Sequence, residues 1–266
     1  MENELIRPII RVGNSAGILL PKSWINNKAK VELIQESMDD ISENTIRILK
    51  ENELLQDIKG VYLTGSYARN EQTQESDIDI LVITNKTNKR IKKGKYDTLL
   101  ISREIIERKL KNNIMPILPM LKEAKVIINK DLIENYKKTP LTKKNLKWHI
   151  ETTKSAINMN KAAIKLDKEL ELDKTGDATA YSLVLRLRGV YIINCLRNNR
   201  LWNTNELISL VKKISGSTIA YERYIYIKKG LGKSKDIMPI IEAEKLLDCV
   251  KKENLKQEKW LKEKRD

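Results

Sequence analysis

Two apolar runs within residues 58–84 limit the possible folds of this 266-residue chain more than any other feature. Ile58–Thr64 leads directly into Gly65 and Ser66, and Asp77–Thr84 reads Asp-Ile-Asp-Ile-Leu-Val-Ile-Thr. Short runs rich in β-branched residues and bounded by turn residues predict strands. We therefore expect a sheet with a glycine-serine turn after one strand and two acids at the start of the next.

The two acids and the turn have the chemistry of a metal and phosphate site. Asp77 and Asp79 are two residues apart, so both carboxylates project from one face of the predicted strand, with Cα atoms roughly 6 to 7 Å apart. Oxygen ligands suit Mg²⁺, which takes its remaining ligands from water and triphosphate oxygens. Gly65 permits close backbone approach, so free N–H groups there can bind phosphate, and Ser66 adds a hydroxyl donor.

A third carboxylate is expected on a later strand. The run Lys95–Ser102 places Asp97 at its beginning, where it would bind a second metal or accept the proton of an attacking hydroxyl. Glu104 is a weaker substitute, because its stretch predicts a helix. The connection over residues 85–95 carries six cations and no acid. Such a block is typically solvated and mobile, but its position also favours a place near the catalytic groove, where it would attract triphosphate or RNA.

In this order, the motifs resemble a known signature. Leu63-Thr-Gly-Ser-Tyr-Ala-Arg69, a spacer, and Ser76-Asp-Ile-Asp-Ile-Leu-Val82 resemble the polymerase-β-like nucleotidyltransferase superfamily, and most closely its minimal and kanamycin-type branches. The resemblance covers residues 38 to about 130. It implies a small mixed sheet with helices on one side. The implied reaction is an attack of an acceptor hydroxyl on the α-phosphorus of a nucleoside triphosphate, with pyrophosphate as the leaving group.

The resemblance also implies roles for individual residues. Two Mg²⁺ ions would be held by Asp77, Asp79 and the third carboxylate, which we assign to Asp97. The triphosphate would be seated by Gly65 and Ser66, with Arg69 as a further contact or, equally, a surface arginine.

The amino-terminal residues predict a separate small unit. Two β-prone runs flank Gly13–Gly17, whose residues suit a tight turn, and Pro21 ends the second run. One helical turn is expected over Lys22–Asn27 and a further strand over Val31–Ile34. Thirty-odd residues cannot bury enough apolar surface alone, so the unit should pair with a copy of itself or dock on the rest of the chain.

The run Arg11–Trp24, Arg-Val-Gly-Asn-Ser-Ala-Gly-Ile-Leu-Leu-Pro-Lys-Ser-Trp, resembles the AbrB/MazE-type swapped-hairpin domain. The resemblance covers residues 5 to about 36 and implies an intertwined homodimer that binds operator DNA, with Arg11 and Asn14 at DNA-contacting positions. Leu19 stands where that family often has Arg, and the cations up to residue 27 are few. A hairpin used only for dimerisation is therefore the alternative, because DNA binding normally needs several cations per half-site.

The carboxy-terminal half predicts a helical bundle. Thr139-Pro140 is typical of a hinge, and amphipathic patterns follow over residues 142–171, 178–198, 204–214 and 236–261. This layout resembles the acceptor domain of kanamycin-type nucleotidyltransferases, and His149 is expected on a helix, partly exposed. A catalytic HEPN ribonuclease-like bundle is disfavoured, since it needs an Arg separated from His149 by four to six residues, and those positions hold Thr142, Lys143 and Lys144. The chain is thus expected to be α+β, with domains over residues 1–36, 37–138 and 139–266.

Charge and composition restrict the partners. Lys and Arg number 51 against 36 acids, a net charge of +15, which favours polyanionic partners. Lysines dominate residues 137–168, so an RNA or acidic protein acceptor is expected. Two cysteines and one histidine argue against disulfide frameworks and Cys/His zinc sites, and leave catalysis to carboxylates. The polar amino terminus and the absence of an 18-residue apolar run predict a cytoplasmic chain with no membrane partner.

Two functional hypotheses follow. The first is a Mg²⁺-dependent nucleotidyltransferase that acts on a protein, RNA or small-molecule hydroxyl and carries an AbrB-like dimerisation or DNA-binding module. The alternative is a transcriptional regulator, or the antitoxin of a toxin-antitoxin system, whose nucleotidyltransferase fold binds or modifies its partner.

Overall fold

The computed structural model describes residue 5 and residues 7–31, 36–231 and 236–263. Its internal contacts divide the chain into a small unit, Met1–Ser37, and a large unit, Met38–Asp266. The domain boundary that the sequence predicts after residue 36 lies one residue before this division. The expected boundary after residue 138 lies inside the large unit.

The small unit contains the predicted hairpin. Strands β1 (Ile10–Val12) and β2 (Ser15–Gly17) pair antiparallel, and Gly13 takes a φ of +59° in the turn between them. A single 3-10 turn, Lys22–Trp24, follows. Of the predicted strand Val31–Ile34, residues 32–34 lie outside the described residues.

No side chain in residues 7–31 is buried. Leu19 is 72% exposed and Ile25 is 63% exposed, although both are large apolar residues. The described part of this unit therefore has no hydrophobic core of its own, which agrees with the expectation that it needs a partner surface.

The large unit is built on a mixed five-stranded sheet, as predicted. Its strands are β3 (Ile58–Thr64), β4 (Ile78–Thr84), β5 (Lys89–Lys93), β6 (Tyr96–Ser102) and β7 (Lys125–Ile128). Their order is β5-β6-β4-β3-β7, with β4 and β6 parallel and the other pairs antiparallel.

Helices make up most of the remainder. Those described are α1 (Met38–Glu51), α2 (Gly65–Arg69), α3 (Arg103–Asn112), α4 (Ile117–Glu123), α5 (Lys130–Lys137), α6 (Lys143–Glu169), α7 (Asp177–Arg197), α8 (Thr204–Ser215), α9 (Ile219–Lys228) and α10 (Ile240–Glu263). Two short strands, β8 (Lys174–Gly176) and β9 (Asp236–Pro239), pair antiparallel beside them. The α+β class is confirmed, and α9 is a helix that the sequence patterns did not predict.

The basic connection is ordered rather than mobile. Residues 89–93 form β5, which pairs antiparallel with β6 and makes a hairpin around Gly94. The expectation of a mobile linker is wrong here, because backbone pairing with β6 fixes the lysines and the arginine on an edge strand. Their side chains are exposed to solvent, as expected. Charged side chains on an edge strand also discourage pairing with other chains.

Both faces of the sheet are covered, whereas the resemblance implied helices on one side only. Val61, Ile80 and Val82 share a buried cluster with Ile41 and Leu49 of α1. The opposite face carries Tyr62, Leu81, Ile83 and Ile101, which share a second cluster with α3, α4, α5 and α6. Burial on both sides explains why β4 is a continuous apolar run instead of an alternating one.

The helical half packs as a bundle against the second face. Leu146, Ile150 and Ile164 of α6 are buried, which agrees with the amphipathic pattern over residues 142–171. One cluster contains residues from Tyr62 to Leu261, on both sides of position 138. In the part of the chain that the structure describes, no helix is long and apolar enough to cross a membrane.

His149 is buried, with 5% exposure, and the expectation of a partly exposed position is wrong. The reason is Gly189 of α7, where an added Cβ would lie 2.7 Å from the imidazole Cε1. Burial, with a smaller effect of Arg186, lowers the pKa of His149 to about 4. The ring is therefore a neutral packing element of the bundle.

Candidate active site

The turn after β3 is shaped by a glycine. Gly65 begins α2 with a φ of +71°, and a Cβ at this position would lie 2.1 Å from Oδ2 of Asp79. Side chains other than hydrogen are thus excluded both by conformation and by space. The result is that the Asp79 carboxylate lies directly against the backbone of the turn, with Ser66 half-buried in the first turn of α2.

Two of the predicted carboxylates are neighbours in the sheet. The parallel pairing of β4 and β6 sets Asp79 opposite Asp97, so both side chains project from the same face, the one that packs against the helical half. Asp77 lies one residue before β4 and is exposed. Burial, together with the charges of Asp97 and Asp77, raises the pKa of Asp79 to about 6, and the positive charges of Lys228 and Arg90 oppose this shift.

Asp97 is held by a bidentate arginine pair. Nε of Arg90 donates to Oδ1 at 2.5 Å and Nη2 donates to Oδ2 at 2.6 Å, while Nζ of Lys92 lies 3.5 Å from Oδ2. Asp97 is buried and Arg90 is exposed. The hydrogen bonds from Arg90 hold the pKa of Asp97 below its usual value. Glu104, the substitute third carboxylate, lies in the first turn of α3 at the far end of β6.

The residues present suit a magnesium ion, although no complete cage is formed. Within the described residues, no group of three His, Cys, Asp or Glu side chains is gathered to hold a metal. Mg²⁺, however, is commonly bound by one or two carboxylates plus substrate phosphates and water. Asp79 and Asp97 are two such donors on neighbouring strands. Burial, and after it the charges of Asp97 and Asp77, disfavour the ionised form of Asp79 and raise its pKa, and a bound divalent cation would act against both effects.

Glu123 is a residue of the site that sequence reasoning missed. Its Oε1 accepts a hydrogen bond from the Gly65 backbone N–H at 2.8 Å, and its Oε2 accepts one from Nη1 of Arg69 at 2.5 Å. Burial raises the pKa of Glu123, while Arg69 and Gly65 act in the opposite direction. No motif surrounds Glu123 in the sequence; its role follows only from the position of α4 beside the turn.

Arg69 connects the turn to the helical half. Besides Glu123, it donates through Nε to Oε2 of Glu71 at 2.9 Å. Glu71 in turn accepts hydrogen bonds from the backbone N–H and the hydroxyl of Thr204, at 2.9 and 2.7 Å. Because Thr204 begins α8, these hydrogen bonds connect the Gly65 turn to the helical bundle. The Arg69 side chain is 13% exposed, so the alternative of a surface arginine does not describe it.

A narrow cleft of about 90 Å³ lies beside Arg69, between the turn and the bundle. It contains three cations and several aromatic rings: Arg69, Arg188, Lys228, Trp202, Tyr221 and Tyr224. Lys228 is near enough to act on the pKa of Asp79. The helical half therefore contributes positive charge next to the carboxylates.

Arg11 and Asn14 lie in the hairpin of the small unit, and both are exposed. Arg11 belongs to β1, and its Nε donates to the carbonyl of Gly13 at 3.0 Å. Their expected role in DNA binding stays a prediction.

Comparison with known proteins places the site within a recognised domain. Residues 42–155 match the family of the nucleotidyltransferase domain. That segment contains the turn, the three aspartates and Glu123. It excludes residues 1–36, so the AbrB-like resemblance stays a prediction.

Two curated proteins of Methanocaldococcus jannaschii, both with protein adenylyltransferase in their names, are similar over short stretches. One is 44% identical over 54 residues, which cover 19% of this chain and 54% of the relative. The other is 54% identical over 43 residues, which cover 16% of this chain and 41% of the relative. The chain thus spans about half the length of the curated relatives it matches. Together with the match of residues 42–155, these similarities support a nucleotidyltransferase domain of the polymerase-β-like superfamily in this part of the chain.

Two solved structures are more distant. A spectinomycin adenyltransferase from Enterococcus faecialis, solved with ATP and spectinomycin, is 10% identical with a TM-score of 0.39, covering 81% of this chain and 98% of that one. A nucleotidyltransferase-like protein from Exiguobacterium sibiricum is 12% identical with a TM-score of 0.37, covering 82% and 75%. Likeness at this level supports no argument about the fold.

Gly65→Ala should destabilise the protein more than Gly94→Ala. Both glycines have positive φ, but the Gly94 position is open whereas a Cβ at Gly65 would strike Asp79. We expect a loss of about 1 kcal/mol at Gly94 from backbone strain and about 2–4 kcal/mol at Gly65, where the contact is added. Urea unfolding of the two variants measures the difference, and equal losses would contradict the close approach of Asp79 to the turn.

Proposed function

We propose that this chain transfers a nucleoside monophosphate from a nucleoside triphosphate to a hydroxyl of an acceptor, with release of pyrophosphate. The observation that carries the proposal is the pairing of Asp79 with Asp97 directly beside the Gly65 turn, within a segment that matches a nucleotidyltransferase domain. Neighbouring carboxylates can hold the metal ions that stabilise the attacking and leaving oxygens in an in-line phosphoryl transfer.

Mg²⁺ dependence is part of the proposal. Asp77, Asp79 and Asp97 would hold the metal, with room for two ions once the triphosphate adds its own oxygens. When bound, Mg²⁺ supplies charge stabilisation to the attacking and leaving oxygens. Asp97 acts in this scheme as a fixed negative charge rather than as a base, because a carboxyl whose pKa is lowered by Arg90 is a weak proton acceptor.

The chain's own cations bind and orient the triphosphate. Ser66, at the start of α2, offers a hydroxyl and the positive end of a short helix. Lys228 and Arg188 face the same region from the bundle. The cleft that they line is smaller than a pocket that encloses a whole ligand, so it would seat a phosphate group rather than the complete nucleotide. Arg69, engaged with two glutamates, positions the turn in this proposal.

Donor and acceptor are proposed from the relatives. Two similar proteins are named as protein adenylyltransferases, which supports ATP as the donor and a protein hydroxyl as the acceptor. The net charge of +15 is compatible with an acidic protein and also with RNA.

The second candidate function, a regulator or antitoxin, overlaps with the first. The exposed apolar residues of the small unit support a homodimer formed by the hairpin, and Arg11 and Asn14 are exposed on it, where they would contact DNA. A dimeric DNA-binding protein that adenylylates a toxin would satisfy both descriptions.

Asp79→Asn should abolish transfer and stabilise the fold. The raised pKa of Asp79 means that its ionised form is disfavoured in the folded state, so the wild-type protein loses stability as the pH rises from about 4 to about 6. The Asp79→Asn variant has no charge at this position and therefore does not lose stability over this pH range. We expect up to about 3 kcal/mol of added stability at pH 8, and none at pH 3.5.

Transfer is measured with labelled ATP and the other triphosphates, Mg²⁺ and cell extract, and stability by urea unfolding in the presence of a chelator. Asp77→Asn is expected to lose transfer as well, since a neutral amide binds Mg²⁺ poorly, whereas the exposed Asp248→Asn on α10 should keep it. Undiminished transfer by both Asp77→Asn and Asp79→Asn would reject the site.

Arg90→Ala should raise the affinity of the free protein for Mn²⁺, used as a probe for Mg²⁺. The guanidinium occupies both oxygens of Asp97, so a metal must compete with it, and its removal should tighten binding by about tenfold. Lys93→Ala removes a cation from the same strand, but its partner is Glu51, and it should change the affinity little. Electron paramagnetic resonance of free Mn²⁺ gives both values; equal affinities of Arg90→Ala and the parent would exclude Asp97 as a ligand.

Deletion of residues 1–37 should convert a dimer into a monomer without unfolding the large unit. The buried clusters described for that unit lie between Ile41 and Leu261, so circular dichroism should be retained. Light scattering reports the mass, and a monomeric parent would overturn the dimer.

Arg11→Ala should keep the dimer and weaken binding to the DNA upstream of the chain's own gene. The slope of the logarithm of the binding constant against the logarithm of the salt concentration should become less steep by about 0.9, because one phosphate contact is lost. Electrophoretic shifts at several salt concentrations measure both effects, and unchanged binding would leave the hairpin as a dimerisation module only.

A further inference from the structure

A second cavity, of about 400 Å³, lies within the large unit and is separate from the carboxylates. Its lining comes from α4 and α5, from the predicted hinge at Thr139 and Pro140, and from the helices α7 and α10 of the bundle. It shares no lining residue with the narrow cleft beside Arg69. Small-molecule sites commonly have volumes of this order and lie at such junctions between substructures.

The lining of this cavity is cationic. Among the described residues it contains four basic side chains and no acid: Lys122, Lys137, Lys138 and Arg197. Lys137 is neutralised in part, since its Nζ donates to Oε1 of Glu134 at 3.0 Å and to the carbonyl of Ala124 at 3.3 Å. The other three form no ion pair with any side chain that the structure describes. The cavity therefore keeps an excess of positive charge.

Helix ends account for only part of this charge. The helices α4, α5 and α7 each have one of the four cations in their last turn, where the negative end of the helix dipole favours a positive side chain. That end carries only about half an elementary charge, which is less than the charge of the side chain beside it. Because three such ends meet at one cavity, their cations together would attract a multiply charged anion.

The same cavity offers a surface for an aromatic ring. The guanidinium of Arg197 lies over the ring of Trp260, with Cζ 4.3 Å from the ring centroid, and both residues line the cavity. Nucleobases stack on indole rings and on guanidinium planes. Apolar side chains complete this part of the lining: Leu118, Leu141 and Leu196.

We propose that this cavity binds a nucleoside phosphate, either as a free nucleotide or at the end of a single strand. The phosphates would lie against the lysines, and the base would lie against Arg197 and Trp260. The site is distinct from the one formed by Asp79 and Asp97, so the inference does not rest on the proposed function.

The size and charge of the cavity favour this ligand over two other anions. A fatty acid would contact the leucines, but its single carboxylate would leave most of the cations without a partner. Pyrophosphate would pair with the cations, but it would leave the ring surface uncovered and much of the 400 Å³ unfilled. A nucleoside phosphate uses both parts of the lining.

The test is isothermal titration of the full chain with four probes. A chelator removes metal-dependent binding at the aspartates, and physiological salt screens weak attraction to the basic surface. ADP and pentauridylate represent the free nucleotide and the strand, while adenosine and pyrophosphate represent the base alone and the phosphates alone. We expect one site per chain, with adenosine and pyrophosphate each bound at least about tenfold more weakly than the better of the other two. Tighter binding of ADP assigns the site to a free nucleotide, tighter binding of pentauridylate assigns it to a strand, and equal binding means that it accepts both.

Charge variants locate the site. Lys122→Gln and Lys138→Gln should each weaken binding of the better ligand by at least about tenfold, since each removes a charge-assisted hydrogen bond. Lys130→Gln is the matched control, because Lys130 is an exposed lysine at the start of α5 that does not line the cavity. Lys228→Ala alters the cleft beside Arg69 and should also bind as the parent does.

Ring variants test the stacking. Trp260→Leu should weaken binding by at least about fivefold, whereas Trp260→Phe should retain most of the affinity, because stacking requires only an aromatic face. Binding should also quench tryptophan emission in the parent, and this quenching should be lost in both variants. Circular dichroism checks that every variant is folded.

Four results would overturn the proposal. They are no binding of ADP or pentauridylate at millimolar concentration, binding of pyrophosphate as tight as that of the better ligand, an equal loss of affinity in Lys130→Gln, and a loss in Lys228→Ala with none in Lys138→Gln. The last result would assign the nucleotide to the cleft beside Arg69, so it would support the proposed function while rejecting the second site.

Discussion

The parallel pairing of β4 with β6 is the constraint on which the site depends. It sets Asp79 beside Asp97 on one sheet face, and it does so through backbone hydrogen bonds, whatever the charges of the two side chains. Two carboxylates at paired positions of neighbouring strands repel each other, and burial on the helical side makes the repulsion stronger. The large buried clusters on both faces supply the stability that holds this unfavourable arrangement in place.

Cations from two elements, β5 and α9, act on the carboxylates. Arg90 reaches Asp97 from the edge strand β5, and Lys228 acts on Asp79 from α9. Their pKa values nevertheless move in opposite directions: burial, with the charges of Asp97 and Asp77, raises the pKa of Asp79, whereas the hydrogen bonds from Arg90 lower the pKa of Asp97. Paired acids whose environments separate their pKa values are a common arrangement at functional sites.

Local sequence patterns were enough to predict the strands of the site, but not the side chains that reach the site from distant segments of the chain. The Gly-Ser turn, the Asp-x-Asp run and the later Asp97 are close in sequence to the strands that position them, and β3, β4 and β6 appear within one residue of the expected bounds. Glu123, Thr204 and Lys228 reach the site only because α4, α8 and α9 pack there. Such contacts between distant segments leave no local periodicity or motif. The buried His149 was missed for the same reason, since the space for its ring is provided by Gly189, forty residues later.

The hydrogen bond to Glu123 removes one backbone N–H group of the Gly65 turn from those that could bind a phosphate. In the simplest view of such turns, every free N–H at the helix start is open to an anion, but the Gly65 N–H already donates to Glu123. A phosphate at this position would have to approach a buried carboxylate, and like charges at close range are costly. The hydrogen bonds described for Glu123 are those from Gly65 and Arg69, so in the proposed reaction the Ser66 hydroxyl, Arg188 and Lys228 are better placed to bind a phosphate. Glu123 thus fixes the turn and Arg69, and under the proposed function the anion would bind on the side of the site that faces the helical bundle.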